Sequence, residues 1–300
     1  MEAGTENDCS SYSSCFVNRG GFPIDETTWE KMWDHVAKVH PHKHETMGQI
    51  RGNTALKHIA IPQPPHLTEF TTVAAKVQAI QSYLKEFQYN HTGTQFFEMK
   101  KGRCLSRMME QAKEMIKVAL PIKCLEAVIL GLYLTCGLYS VTRFVIGFKT
   151  KCEGHYHKHV VLGVYYEGLF GCVGLSRRED LMYKPLVYQS LYELVCDFQT
   201  SYKQYYHTVV RVKLSLPVVH DFCSGEKICW GYLKIELQGM ANNEIKRLLE
   251  RYSREMKTKT FYARIPLLHS GASPTEDLSS GSSNGFKPAS QTKSAYKVQV

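Results

Sequence analysis

Residues 120–135 read LPIKCLEAVILGLYLT, and the fold turns on where this run places its cysteine. Leu125, Val128, Ile129 and Leu132 recur at helical spacing, and Pro121 suits a first helical position, so the spacing predicts a helix opening at Pro121. Cys124 then falls in its first turn. Free cysteine is among the most buried residue types and usually only packs. A helix start shifts that balance, because free N–H groups and the macrodipole favour a thiolate, and Lys123 adds a positive charge beside it. The thiolate is the nucleophilic form, so Cys124 is a candidate nucleophile if the rest of the chain supplies a base.

Upstream, the pattern is helical. Trp29, Met32, Trp33, Val36 and Val39 share one face of a helix near 27–39, a face that by itself reads as core. Residues 40–68, rich in His and Pro, read as a loop. Val73, Val77, Ile80, Leu84 and Phe87 mark a second amphipathic helix, and Leu105, Met108, Met109, Ala112, Met115 and Ala119 a third. Downstream the texture changes. Residues 142–149, 157–166 and 169–175 read as strands, the last two joined by the tight turn Glu167-Gly168. A helix near 188–205, strands near 208–214 and 229–236 and a charged helix near 241–257 follow. Helices first and a meander of strands second predict an α+β fold: a helical N-terminal part, then an antiparallel sheet with flanking helices. The expected organisation is a disordered arm over 1–20, a helical region over 21–120, a catalytic core over 121–265 and a disordered Ser/Gly/Pro-rich tail over 266–300.

Three hundred residues, 43% of them hydrophobic and 22% charged, fit an ordinary globular protein with ample core. The net charge of +9 favours an acidic partner. Ten cysteines with no C-x-x-C pair do not form a disulfide framework. The N-terminus lacks an apolar signal region, and the run from Ala127 to Val141 is too short to span a bilayer, so a reducing cytosol is the expected compartment. Asn90-His91-Thr92 matches a glycosylation acceptor, a chance match in a cytosolic protein.

GHYHKHVVLGV, residues 154–164, supplies the candidate base. In a strand His155, His157 and His159 point to one face. They could chelate zinc, but no carboxylate or cysteine ligand motif accompanies them. His159 heads the apolar run Val160-Val161-Leu162, which would fix its ring, so it is the expected general base. A run of His40, His42 and His44 reads as solvated. The group that orients the imidazole is usually Asp or Asn. Ser176 falls in the expected place, yet chemistry alone favours Asp180 beyond it.

The blocks LPIKCLEAVILGLYLT, HKHVVLGVYY, GLSRREDLMYKP and FQYNHTGTQFFEMKKGR closely resemble the vasohibin family, over a span from about Gly21 to the helix near 257. The resemblance implies a transglutaminase-like cysteine protease fold and removal of the C-terminal tyrosine of α-tubulin. It implies Cys124 as nucleophile, His159 as base and Ser176 as third member, displacing Asp180, and it implies no cofactor and no metal. Tyr89, Lys123 and Arg177 would bind the terminal carboxylate, and Lys101 and Arg103, with Lys100, would attract the acidic tubulin tail. The small vasohibin-binding protein, a short helical partner, would meet Trp29 and Trp33. Expected partners are thus that chain, the α-tubulin tail and microtubules, with no nucleic acid and no membrane span. Family tails are strongly basic, whereas residues 265–300 carry only Lys287, Lys293 and Lys297 against Glu276 and Asp277, which weakens the case for microtubule binding through the tail. Family members are also described as secreted, and no signal peptide here accounts for export.

Overall fold

The computed structural model describes residues 25–39, 42–53, 60–91 and 95–264. The arm over 1–20, the tail over 266–300 and His40 lie outside the described residues. Two compact units divide the chain, one holding residues 1–58 and 267–300, the other residues 59–266.

In the first unit, α1 (Glu26–Val39) opens on Asp25, whose carboxylate accepts the Thr28 N–H at 2.8 Å and the Thr28 hydroxyl at 2.7 Å. That is an N-cap, and it satisfies donors the helix leaves free. The 40–68 loop reading needs correcting, since Lys43–Gly52 form α2. A sequence this polar has no apolar stripe to announce a helix. A bidentate pair holds α2 against α1, Arg51 donating to both Glu30 oxygens at 2.6 and 2.9 Å with its guanidinium over the Trp33 ring. His42 precedes α2 and His44 lies within it.

The second unit is a six-stranded antiparallel sheet covered on both faces. The strands are β1 (Thr142–Cys152), β2 (His155–Tyr166), β3 (Leu169–Val173), β4 (Lys184–Tyr188), β5 (Thr208–Leu214) and β6 (Leu233–Glu236), in the order β4-β3-β2-β1-β5-β6. The helices are α3 (Val73–Glu86), α4 (Leu105–Val118), α5 (Cys124–Leu134), α6 (Leu191–Gln204) and α7 (Asn242–Arg264). Strand alternation separates two cores. Val145, Val160, Leu162 and Val164 join α3, α4 and α5 on one side. Phe144, Ile146, Phe148 and Val161 join α6 and α7 on the other. The sheet is tight at Gly163, where a Cβ would lie 2.7 Å from the Phe144 ring.

The α+β expectation holds. The turn at Glu167-Gly168 is there, and Glu153-Gly154 makes a second one, both residues of each pair having positive φ as a two-residue hairpin turn requires. β4 is the strand that the sequence pattern did not reveal. It occupies one sheet edge, five residues long with Pro185 inside and a register shift against β3 between Phe170 and Cys172. The opposite edge, β6, is four residues long. α6 starts at Leu191, later than the expected 188, because Tyr188 pairs with Phe170 and the Ser190 hydroxyl caps the helix at the Glu193 N–H. α6 ends in a Schellman turn: the Tyr206 N–H bonds Lys203 O and the His207 N–H bonds Tyr202 O, both at 3.1 Å. Tyr206 takes the left-handed position, φ +59°, that usually belongs to glycine.

Candidate active site

Cys124 is the first residue of α5, with Lys123 as its extended N-cap. The helix begins three residues later than Pro121 because the chain there is tied into a short parallel bridge. Asn90 N–H bonds Ile122 O at 2.9 Å and Ile122 N–H bonds Gln88 O at 3.2 Å. This strap carries Tyr89 to the helix start. The Glu126 carboxylate accepts the Lys123 N–H from inside α5 and fixes the entry angle. From Ala127 to Leu132 the helix is buried, so Cys124 stands where a rigid rod leaves the core.

Main-chain N–H groups of Val160 and Leu125 reach the Cys124 sulfur and favour its anion, but burial outweighs them and pushes the thiol up. The helix start therefore does not leave a resting thiolate. Val160 follows His159 in β2 just beyond the last β2–β3 pair, Leu162 with Val173. The thiol is thus held at the residue adjoining the expected base. His159 Nε2 contacts Leu181 O at 2.7 Å. A carbonyl can only accept, so Nε2 carries the proton and Nδ1 keeps its lone pair. Burial lowers the imidazole to about 4, which keeps it neutral and basic in form at physiological pH. The orienting acceptor is therefore a main-chain carbonyl and neither expected side chain. The Ser176 hydroxyl accepts the Arg178 N–H at 3.3 Å, and Asp180 accepts the Tyr205 hydroxyl at 2.8 Å.

Ser176, Arg177, His159 and Tyr89 line one cleft of about 400 Å³, together with Leu181 and Tyr202. The Arg177 guanidinium lies 5.5 Å from the Tyr89 ring centre, and burial raises the Tyr89 phenol. Lys101 and Arg103 gather at a neighbouring depression with Leu125 and Trp230. The Lys101 ammonium sits 5.1 Å from the Trp230 ring centre, and burial lowers its proton affinity. Arg103 and Lys100 both pair with Glu98, at 2.8 and 2.7 Å, so part of that cluster's charge is already spoken for. Trp29 and Trp33 belong to the first unit, where they meet edge to face at 5.6 Å with Trp29 exposed. Among the described residues, no three His, Cys, Asp or Glu side chains are grouped to hold a metal ion. His157 packs against His207, at 4.8 Å between ring centres, and His159 turns to Leu181. Leu181, Tyr202, His207 and Trp230 went unread in the sequence. Only the tryptophan and tyrosine types could have hinted at a site, and nothing local marks them.

A family model described as Vasohibin matches residues 13–257. Among curated proteins the chain is similar to mouse (Mus musculus) Tubulinyl-Tyr carboxypeptidase 1, 48% identical over 262 residues, which cover 87% of this chain and 68% of the mouse protein.

Proposed function

The chain belongs to the vasohibin family, and from that premise we propose that it is a transglutaminase-like cysteine carboxypeptidase removing the C-terminal tyrosine of α-tubulin. One observation carries the chemistry: His159 spends Nε2–H on Leu181 O, leaving the Nδ1 lone pair for the thiol held at Val160. His159 takes the Cys124 proton as sulfur attacks the last peptide carbonyl. The oxyanion forms at the α5 start, where the free N–H groups of the first turn lie. The tetrahedral adduct collapses, the C–N bond breaks, and His159 returns the proton to the departing tyrosine amine. Water then attacks the thioester with His159 again as base, releasing the shortened tail and restoring the thiol.

Recognition of a free C-terminus falls to Lys123, Arg177 and Tyr89, since charge-assisted hydrogen bonds suit a carboxylate. Lys101 and Arg103 would draw the acidic tail, and Ser176 would contact substrate at the cleft wall. Trp29 and Trp33 would receive the small vasohibin-binding protein, and the enzyme would act in the cytoplasm on microtubules. The test is tyrosine release from a peptide ending Glu-Glu-Tyr, with and without C-terminal amidation and a metal chelator. Release should need Cys124, resist the chelator and fail on the amide. Release that survives Cys124→Ala would sink the proposal.

A further inference from the structure

The cleft has a wall that the mechanism does not use. Besides Arg177 it carries Arg178, Lys158, His157 and His207, and no carboxylate is among its lining residues. Asp180, the acid next to this wall in sequence, is engaged by the Tyr205 hydroxyl, and the Arg178 guanidinium lies over the Tyr205 ring at 4.7 Å. Arg177 and Arg178 thus bring permanent positive charge to a cleft with no acid among its described lining residues.

The His207 imidazole is held in place. His207 follows the Schellman turn, whose left-handed Tyr206 fixes the backbone angle at which β5 is entered. Its Nδ1 contacts the Thr150 hydroxyl at 2.9 Å, and Thr150 is buried at 2% exposure. A hydroxyl can donate to Nδ1 or accept from it, and where it donates the ring proton sits on Nε2. The ring meets those of His157 at 4.8 Å and Tyr202 at 6.2 Å between centres, both tilted. His157 sits opposite Thr150 in the β1–β2 ladder, so both side chains emerge on the same sheet face. A ring tied at one nitrogen and in contact with two neighbouring rings is held for use as a donor.

Resting on the reading of this cleft as the peptide site, we propose that His207 and His157, flanked by Arg178, form a subsite for the carboxylate side chain of an acidic residue preceding the removed tyrosine. The subsite discriminates charge: a glutamate accepts from His207 Nε2–H and meets the cationic wall, whereas a glutamine leaves that wall without a counter-charge.

The test compares peptides ending Glu-Glu-Tyr and Gln-Gln-Tyr on the full chain. The parent should prefer the acidic peptide in kcat/KM by about tenfold, as expected for one charge-assisted hydrogen bond. His207→Gln and His157→Asn should cut that preference to about twofold, and Thr150→Val, which unpins the ring but keeps its shape, should fall between. Damage to the fold would lower both peptides alike and keep the ratio, and a kept ratio overturns the proposal. A parent without preference overturns it too. Should the parent release no tyrosine from either peptide, the enzymatic reading fails, and the subsite is judged by fluorescence anisotropy of the two labelled peptides on Cys124→Ala protein. Equal binding of the two then overturns the subsite as well.

Discussion

Cys124 and His159 sit where burial disfavours charge, its desolvation raising the thiol and lowering the imidazole, whereas Arg177 and Arg178 bring permanent charge to the cleft that His159 lines. The first region rests neutral, and on the proposed function would become an ion pair only during reaction. The second is charged at all times and needs an anion to balance it. The contrast divides labour. On the proposed function, substrate binding would be electrostatic and belong to the wall, while the nucleophile would be made only when a bound carbonyl is there to receive it.

The comparison breaks most completely at sulfur. Cys124→Ala should lower tyrosine release by roughly a thousandfold or more while peptide binding by anisotropy persists, because the wall remains. At the charged end, Arg177→Ala should cost about a hundredfold in kcat/KM on a free-acid peptide and erase its advantage over the amide. A retained advantage would place carboxylate recognition elsewhere. The neutral pair can be examined by pH. Iodoacetamide alkylation of Cys124 should keep climbing with pH beyond the range of an ordinary thiol, since burial raises it. His159 takes up its proton near 4 when folded and near 6.5 when exposed, so the unfolded chain protonates first. Folding stability from this residue is present above pH 6.5 and is lost as pH falls towards 4, a drop in melting temperature that His159→Asn should lessen. The smallest effect is expected at Glu98. Glu98→Gln releases Lys100 and Arg103, and KM for the acidic peptide should fall about twofold at low salt and not at all at high salt.

Side chains made the proposed nucleophile and base legible in sequence. Cys124 before an apolar helical run and His159 before an apolar strand run are each periodic signals with a polar residue at the end, and both fell where the spacing put them. The start of α5 was misplaced by three residues because Pro121 is as content in an extended strap as in a first helical turn, and the pairing of Ile122 with the Tyr89 segment decided it. α2 was missed because its stability rests on Arg51 reaching Glu30, an ion pair 21 residues apart. Leu181 could not have been found: its contribution is a carbonyl that every residue possesses, aimed by the short 3-10 turn Glu179–Leu181. His207 likewise reads as one histidine in a Tyr-rich junction until α6 and β1 bring Tyr202 and Thr150 to it.

The edges of the sheet have a consequence for how a tail can be held. Extended peptides are often captured by strand addition, in which the guest becomes one more strand of the host sheet. β4 offers five residues interrupted by Pro185, which has no N–H to give, and β6 offers four residues bearing Lys234 and Glu236. Neither edge is a template of useful length. The two outer strands thus give little backbone for a tail to pair with, which throws weight onto contacts with its terminus and side chains. The same blunt edges keep copies of the chain from fusing sheet to sheet.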